Sequence, residues 1–427
     1  MKALHRGYRA TGWTAARRVV VSIVAALGTV MLLPAEAQDT IRIAHIDPFS
    51  GSFASVGNTT SKTMQYAIEL INARGGVLGK KLELVSIDNA GDANKSLTAF
   101  NSATDQDIRY IVQATNSGIA GATLDAVVKY NERNPAKPVL YLNYGSALPD
   151  LTEEKCSFWM FRFEPHQLMK MRALAEFVAS DPTIRNIYLI NQDYAFGQVT
   201  SASAKAMIKE RRPDVNFVGD VLHPVGKVKD FAPYIAKIKE SGADTVLTGN
   251  FGADLSLLVK SGKDFGLKVK YLTYYGGLGG APTAVGEAGD GVVYQVGPWH
   301  PNVPVEQKTP AVEAINTLFK QKYKEDLYYS AIVVQMDLFA KAVEKAGGAE
   351  DPKKVALALE GIEANTPFGP VRVRRDDHQL IQPLLISVFS KGVKYDAENT
   401  GLGWRTVMTV PAKDTELPTV CKMKRPA

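Results

Sequence analysis

Signatures of chemistry are missing from this 427-residue sequence. None of its six histidines belongs to an H-E-x-x-H arrangement. His45, His166, His223, His300 and His378 are scattered, with no cysteine at metal-ligand spacing. No G-x-S-x-G elbow presents a nucleophilic serine, and no G-x-x-x-x-G-K-[ST] loop offers a phosphate cradle. Asp377-His378 stands in the polar run RRDDHQ, the setting of a solvated pair rather than a triad. The expectation is a protein without metal, cofactor or catalytic residues. Long hydrophobic runs are missing too. The longest, VVVSIVAALGTVMLL at 19–33, has 15 apolar or small residues, against about 20 for a membrane-spanning helix.

That run has another context. Lys2, Arg6, Arg9, Arg17 and Arg18 precede it, and Ala35-Glu36-Ala37 follows as an A-x-A cleavage site. Residues 1–37 read as a secretory signal peptide cleaved near Ala37. No cysteine stands at that site to carry a lipid anchor. The whole chain has 50 basic and 44 acidic residues. The signal holds five of the basic and one of the acidic residues, which leaves 45 against 43. The basic character therefore belongs mostly to the leader. No basic stripe interleaves with aromatics, so a nucleic-acid partner is not expected.

Cysteine is scarce, with only Cys156 and Cys421. An exported chain meets an oxidising compartment, which favours pairing them. Such a bond would staple the tail, 411–427, to the segment KCSFWMFRF. The mature chain is too long for one hydrophobic core and implies two domains.

What is present is alternation. IRIAHID (41–47) and KLELVSID (81–88) read as strands, and Met64, Ala67, Ile68 and Ile71 form a helical stripe between them that Gly75-Gly76 terminates. YIVQ, VLYLN, NIYLIN, TVLTG and YLTY are further short strands, most separated by helical patterns. The sequence predicts an α/β protein with mostly parallel sheet and helices on both faces. Later, Thr309-Pro310 and Asp351-Pro352 open helices with stripes Val312, Ile315, Phe319 and Val355, Ala358, Leu359, Ile362. VRVRR and PLLISVFS then return to strand.

Five strands end in small, polar or aromatic tips: QATNSG (113–118), NYGS (143–146), NQDYAFG (191–197), TGNFG (248–252) and TYYGG (273–277). Ligands in open α/β sheets bind beyond the carboxyl ends of strands. Turns alone call for Gly, Asn and Ser, but five tips of like composition point to one cleft. The glycine-rich TYYGGLGG (273–280) is not a dinucleotide fingerprint. Pro282 stands where the third glycine belongs, and the loop follows a late strand.

In order and spacing, IRIAHIDPFSGSFASVG, INARGGVLGKKLELVSIDNAGD, YIVQATNSG, NYGSALPDLT, YLINQDYAFGQ and KDFAPYIAKIKESGADTVLTGNFGADL resemble the periplasmic solute-binding proteins of ABC importers. The likeness is to the branched-chain amino acid (leucine/isoleucine/valine-binding) family and spans nearly all of the mature chain. It implies a type I bilobed fold, two Rossmann-like lobes joined by three crossovers with a ligand cleft between them. Lobe 1 would hold 39–162 and 298–370, and lobe 2 would hold 163–297 and 371–410. It further implies periplasmic location, no catalysis, hinge closure on a small molecule, and docking on an inner-membrane ABC permease. A monomer is expected.

Carried over by motif, Ser117, beside Asn116, meets the ligand carboxylate with Gly145, Ser146 and Ala147. Phe196 lines the cleft from lobe 2, and Asn250 and Phe251 occupy the GNFG tip. Tyr144, Tyr194, Tyr274 and Tyr275 complete an aromatic lining. Two positions depart from the family pattern. Its amino acid binders set a lobe 2 glutamate against the ligand ammonium, where Tyr275 falls here. Asp193 is the acid a shifted register would supply. A hydroxyl that helps hold the carboxylate is replaced by Ala147. An unpaired ammonium in a dry cleft costs several kcal/mol. The expected ligand is thus a small carboxylate without an α-ammonium, preferably an aromatic or hydrophobic acid. The alternatives are a branched-chain or other apolar amino acid, an amide, or a ligand-sensing role on the same scaffold.

Overall fold

The computed structural model describes residues 40–426. The signal-peptide reading of 1–37 lies outside the described residues. The strands β1 (Thr40–Asp47), β2 (Lys81–Asp88), β3 (Tyr110–Val112), β4 (Leu140–Asn143) and β5 (Met160–Arg162) form one sheet in the order β2-β1-β3-β4-β5, parallel throughout. Next, β6 (Asn186–Gln192), β7 (Asn216–His223), β8 (Thr245–Thr248), β9 (Lys270–Thr273) and β10 (Val293–Gly297) build the parallel part of a second sheet. A small antiparallel sheet follows, of β11 (Glu363–Thr366), β12 (Gly369–Val373) and β13 (Leu380–Ile381). The chain returns as β14 (Leu384–Ser390) and β15 (Gly403–Val410), antiparallel additions that give β15-β14-β10-β9-β8-β6-β7.

Both main sheets are covered on both faces, as buried parallel strands require. On one face of the first, Ile41, Ile43, Val112 and Leu142 pack with Met64, Ile68 and Ile71 and with Phe339 and Val343. On the other, Ala44, Ile46, Ile111 and Tyr141 meet Phe100, Leu124 and Val127. The second sheet divides likewise, Leu189 and Leu272 against Met171, Leu174 and Ile208, and Ile190 and Val246 against Ile235, Leu255 and Val259. The helices Pro310–Tyr323, Ser330–Ala346 and Pro352–Leu359 feed Phe319, Phe339 and Leu359 into the first core.

The chain passes from one core to the other after β5, after β10, and again late in the sequence. The sequence reading put the last passage after residue 370. Val371, Val373 and Leu380 pack in the first core, while Ile381, Leu384 and Ile386 pack in the second. The passage therefore lies at the end of β13. Alternation in VRVRR announces a strand but not the core it faces.

Cys156 and Cys421 are joined, with a sequence separation of 265. Closing so long a loop in the unfolded chain is worth on the order of 5 kcal/mol as an upper figure. Arg374 Nη1 donates to Leu417 O at 2.6 Å, and Arg372 pairs with Glu416 at 2.7 Å. Arg425 pairs with Glu360. The tail is thus tied at several points. Among the described residues no helix is long and apolar enough to cross a membrane.

Candidate ligand-binding site

Strand tips from both sheets enclose a cavity of about 390 Å³. Of the residues singled out from the sequence, Asn116, Ser117, Tyr144, Gly145, Ser146, Ala147, Tyr194, Phe196, Phe251 and Tyr275 line it. Asn250 and Tyr274 do not. Asn250 is fully buried, its side-chain amide against His223 Nε2 at 2.9 Å. Tyr274 is 1 % exposed and packs edge-on against Phe196, their ring centroids 5.3 Å apart. Side chains alternate along an extended strand, and that alternation turns Tyr274 into the core and leaves Tyr275 at the cavity. Asp193 is exposed and is not among the lining residues.

The wall from the first sheet is polar. Ser117 begins the helix Ser117–Arg133, whose N-terminal end carries positive partial charge. Ser146 Oγ donates to Ser117 Oγ at 3.1 Å. Asn116 caps that helix from a left-handed backbone (φ 73), its Oδ1 accepting from Gly118 N–H at 2.9 Å. Asn143 Oδ1 accepts from the N–H groups of Gly145 and Ser146, at 3.1 and 2.9 Å. These amides are engaged within the chain, and the Ser146 proton goes to Ser117, so the Ser117 hydroxyl is the readier donor. Beneath them Tyr144 donates to buried Asp47, which also lies 2.8 Å from His45 Nε2. Burial first, then the Asp47 charge, holds the Tyr144 phenol well above its ordinary range.

The opposite wall is aromatic. Tyr194 stacks on Phe196 at 6.1 Å, and Tyr275 lies 5.6 Å from Phe196 and 6.3 Å from Phe251. Burial raises the Tyr194 and Tyr275 phenols, which stay neutral donors at physiological pH. Gly249 is required behind this wall. A Cβ there would sit 2.9 Å from Phe196 Cε1 and 3.0 Å from Thr200 Oγ1.

Two charges line the cavity that strand-tip reasoning missed. Glu164 lies between β5 and the helix Gln167–Ser180, and Lys170 lies within that helix. They form an ion pair, with side-chain exposures of 14 % and 3 %. Lys170 Nζ stands 5.0 Å from the centroid of the Tyr275 ring. The signal was a lysine inside QLMKM, an otherwise apolar helix start. Tyr328, Tyr329, Gln295 and Trp299 also line the cavity. Among the described residues no cluster of three or more His, Cys, Asp or Glu is placed to hold a metal ion.

Two histidines near the crossovers are buried in neutral form. His166 Nδ1 accepts from Leu168 N–H at 3.2 Å as a helix cap. Burial, reinforced by the charges of Arg162 and Arg374, lowers its pKa well below 6.5. Burial also lowers His300, to about 3. Below pH 6.5 the unfolded chain binds protons that the folded one refuses, so stability falls as pH falls. The slope is about 1.4 kcal/mol per pH unit for each histidine until its folded pKa is reached. The double variant His166→Asn, His300→Gln is expected to flatten the fall in urea midpoint between pH 6.5 and 4.5. An unchanged slope would remove these histidines as its source.

The periplasmic binding protein family profile matches residues 40–393. The Leu/Ile/Val-binding protein homolog 4 of Brucella abortus (strain 2308) is 32 % identical over 404 residues, 91 % of this chain and 94 % of the relative. Among solved structures, the leucine-, isoleucine-, valine-, threonine- and alanine-binding protein of Brucella ovis, in a closed conformation, aligns with a TM-score of 0.83 at 30 % identity. The alignment covers 91 % of this chain and all of the other, 100 %. A Rhodopseudomonas palustris HaA2 ABC-transporter solute-binding protein in complex with p-hydroxybenzoic acid aligns at 0.74 and 20 % identity, covering 88 % and 98 %. At that identity the likeness is one of fold.

Proposed function

We propose a ligand class from one premise: this chain belongs to the periplasmic binding protein family, the solute-binding components of ABC-type importers. Proteins of this family bind small molecules for an ABC permease; they are not enzymes, and the family's location is the periplasm. The ligand proposed here is a small carboxylate without an α-ammonium, an aromatic or hydrophobic acid. The carboxylate would lie against Ser117 and Ser146 at the helix start, and the ring among Tyr194, Phe196, Phe251 and Tyr275.

The observation that carries this reading is Lys170. Its ammonium is 2 % exposed as a residue and stands over Tyr275, the position at which the sequence resemblance sets the acid of amino acid binders. A ligand ammonium near Tyr275 would meet the like charge of Lys170, and could be neutralised only if Glu164 left its pair with that lysine. A hydroxyl or carbonyl there would instead accept from Lys170. The fold accommodates such a molecule in the p-hydroxybenzoic acid complex.

Glu164 favours a second reading, an apolar amino acid. It places a carboxylate in the cleft after all, and the Brucella relatives are named for Leu, Ile and Val. In this reading Glu164 would leave Lys170 for the ligand ammonium. A calorimetric comparison of 4-hydroxybenzoate with leucine separates the two. Tight binding of 4-hydroxybenzoate and none of leucine is expected, and the reverse result selects the amino acid. Ser117→Ala should weaken the bound carboxylate by about 1–3 kcal/mol; unchanged affinity would release Ser117 from that role.

A further inference from the structure

A second cavity, of about 420 Å³, adjoins the first. Val56, Leu278, Gln295, Trp299, Tyr328 and Tyr329 line both. Each volume lies in the range that holds a substantial ligand fragment, and a single-ring acid would leave one of them empty. The shared wall carries two polar groups without protein partners. Gln295 is 5 % exposed; its Oε1 accepts from Gly277 N–H at 2.7 Å, which turns its Nε2 the other way. Neither that Nε2 nor the Tyr328 hydroxyl has a hydrogen-bond partner among the described residues. Tyr328 is partly buried, and both groups line the two cavities, where a polar atom of a ligand would pair with them.

Beyond the junction the second cavity carries Trp299 and Trp404 together with a charged rim of Lys320, Lys324, Glu325, Asp326 and Glu398. Gly277 backs this wall and has no room for a side chain. A Cβ there would come 2.8 Å from Gln295 Oε1, 3.0 Å from the Tyr328 ring and 3.1 Å from Trp404 Nε1. We infer that the two cavities are one bipartite ligand site, and that it takes an extended acid. A carboxylate-bearing apolar body would fill the first cavity, an amide or other carbonyl linker would lie between Gln295 and Tyr328, and a second apolar body would fill the chamber of Trp299 and Trp404. The acid end of this inference rests on the carboxylate reading above; the chamber does not.

Calorimetry on the purified protein tests it with benzoate, 3- and 4-benzamidobenzoate, their styryl analogues that lack the amide, and neutral benzanilide. At least one benzamidobenzoate is expected to bind ten-fold or more tighter than benzoate and than its styryl analogue. Ser55 is exposed and lines only the second cavity. Ser55→Trp should erase the gain and leave benzoate affinity as it was, and Gln295→Leu should erase the advantage of the amide over the styryl link. Equal binding of benzoate and both extended acids, indifferent to Ser55→Trp, would overturn the inference and leave the carboxylate reading standing. Binding of benzanilide that Ser55→Trp removes, with no binding of benzoate, would overturn the carboxylate reading and support the chamber. If no extended probe binds, acid or neutral, the inference is wrong.

Discussion

Lys170→Met is expected to lower the stability of the ligand-free protein by about 3–5 kcal/mol and to weaken 4-hydroxybenzoate ten-fold or more. The loss comes from what the substitution leaves behind. Methionine fills much of the lysine volume beside Tyr275, so packing changes little. Glu164, with a side chain 14 % exposed, is then a nearly buried carboxylate without its cation. Removing one partner of such a pair costs far more than removing both. The double variant Glu164→Gln, Lys170→Met should therefore recover most of the stability while 4-hydroxybenzoate binding stays weak. Urea denaturation and calorimetry read the two effects separately. A single variant as stable as the parent would mean that the ion pair is already opened by water.

Arg162→Met is expected to cost more than about 4 kcal/mol, because several buried acceptors lose their donor together. The guanidinium is completely buried. It donates to Gln379 Oε1 at 2.7 Å, to Leu148 O and to Thr152 Oγ1, with Ser146 O and Pro149 O at 3.5 Å. Burial draws its pKa down to about 9, which still leaves it charged at neutral pH. Arg162 N–H donates to His378 O at 3.0 Å, so the end of β5 runs beside the approach to β13, where two crossovers lie together. One side chain thus fixes the loop 146–152, which contributes to the cavity wall, to the joint between the sheets. Arg162→Lys should not rescue, since an ammonium cannot span acceptors set for a planar fork. Urea denaturation and proteolysis of the 146–153 segment are the readouts. A fully stable Arg162→Lys protein would show that charge alone suffices.

The sheets were legible in the sequence because each parallel strand is a short apolar run bounded by a polar tip. The cleft was legible for the same reason, since the tips that end β3, β4, β6, β8 and β9 are what enclose it. Tyr274 and Asn250 show where that logic stops. A tip marks the place where a strand leaves the sheet but not the direction of each side chain. Glu164 and Lys170 escaped because they lie on a crossover and inside a helix, where a charged residue reads as solvated surface. Only the fold brings Lys170 over Tyr275. Among the glycines of TYYGGLGG, Gly280 has the positive φ of a turn residue. Gly276 and Gly277 are instead held to hydrogen by contact, with Trp404 Cη2 and Gln295 Oε1 each 2.8 Å from the Cβ either would gain. At the end of that loop the backbone does grip an anion, the protein's own Glu398. It accepts from Gly280 and Thr283 N–H, the latter at 2.9 Å.

The threefold passage between cores also sets a timetable. Ile41, Ile43 and Val112 leave the ribosome early, yet Phe319, Phe339, Leu359 and Val371, which cover them, come roughly two to three hundred residues later. At synthesis rates of about 5–20 residues per second the first sheet waits roughly 10 seconds or more for its lid. Cys421, the partner of Cys156, is later still. Neither core can close on the early part of its sequence alone, since each waits for segments beyond residue 300.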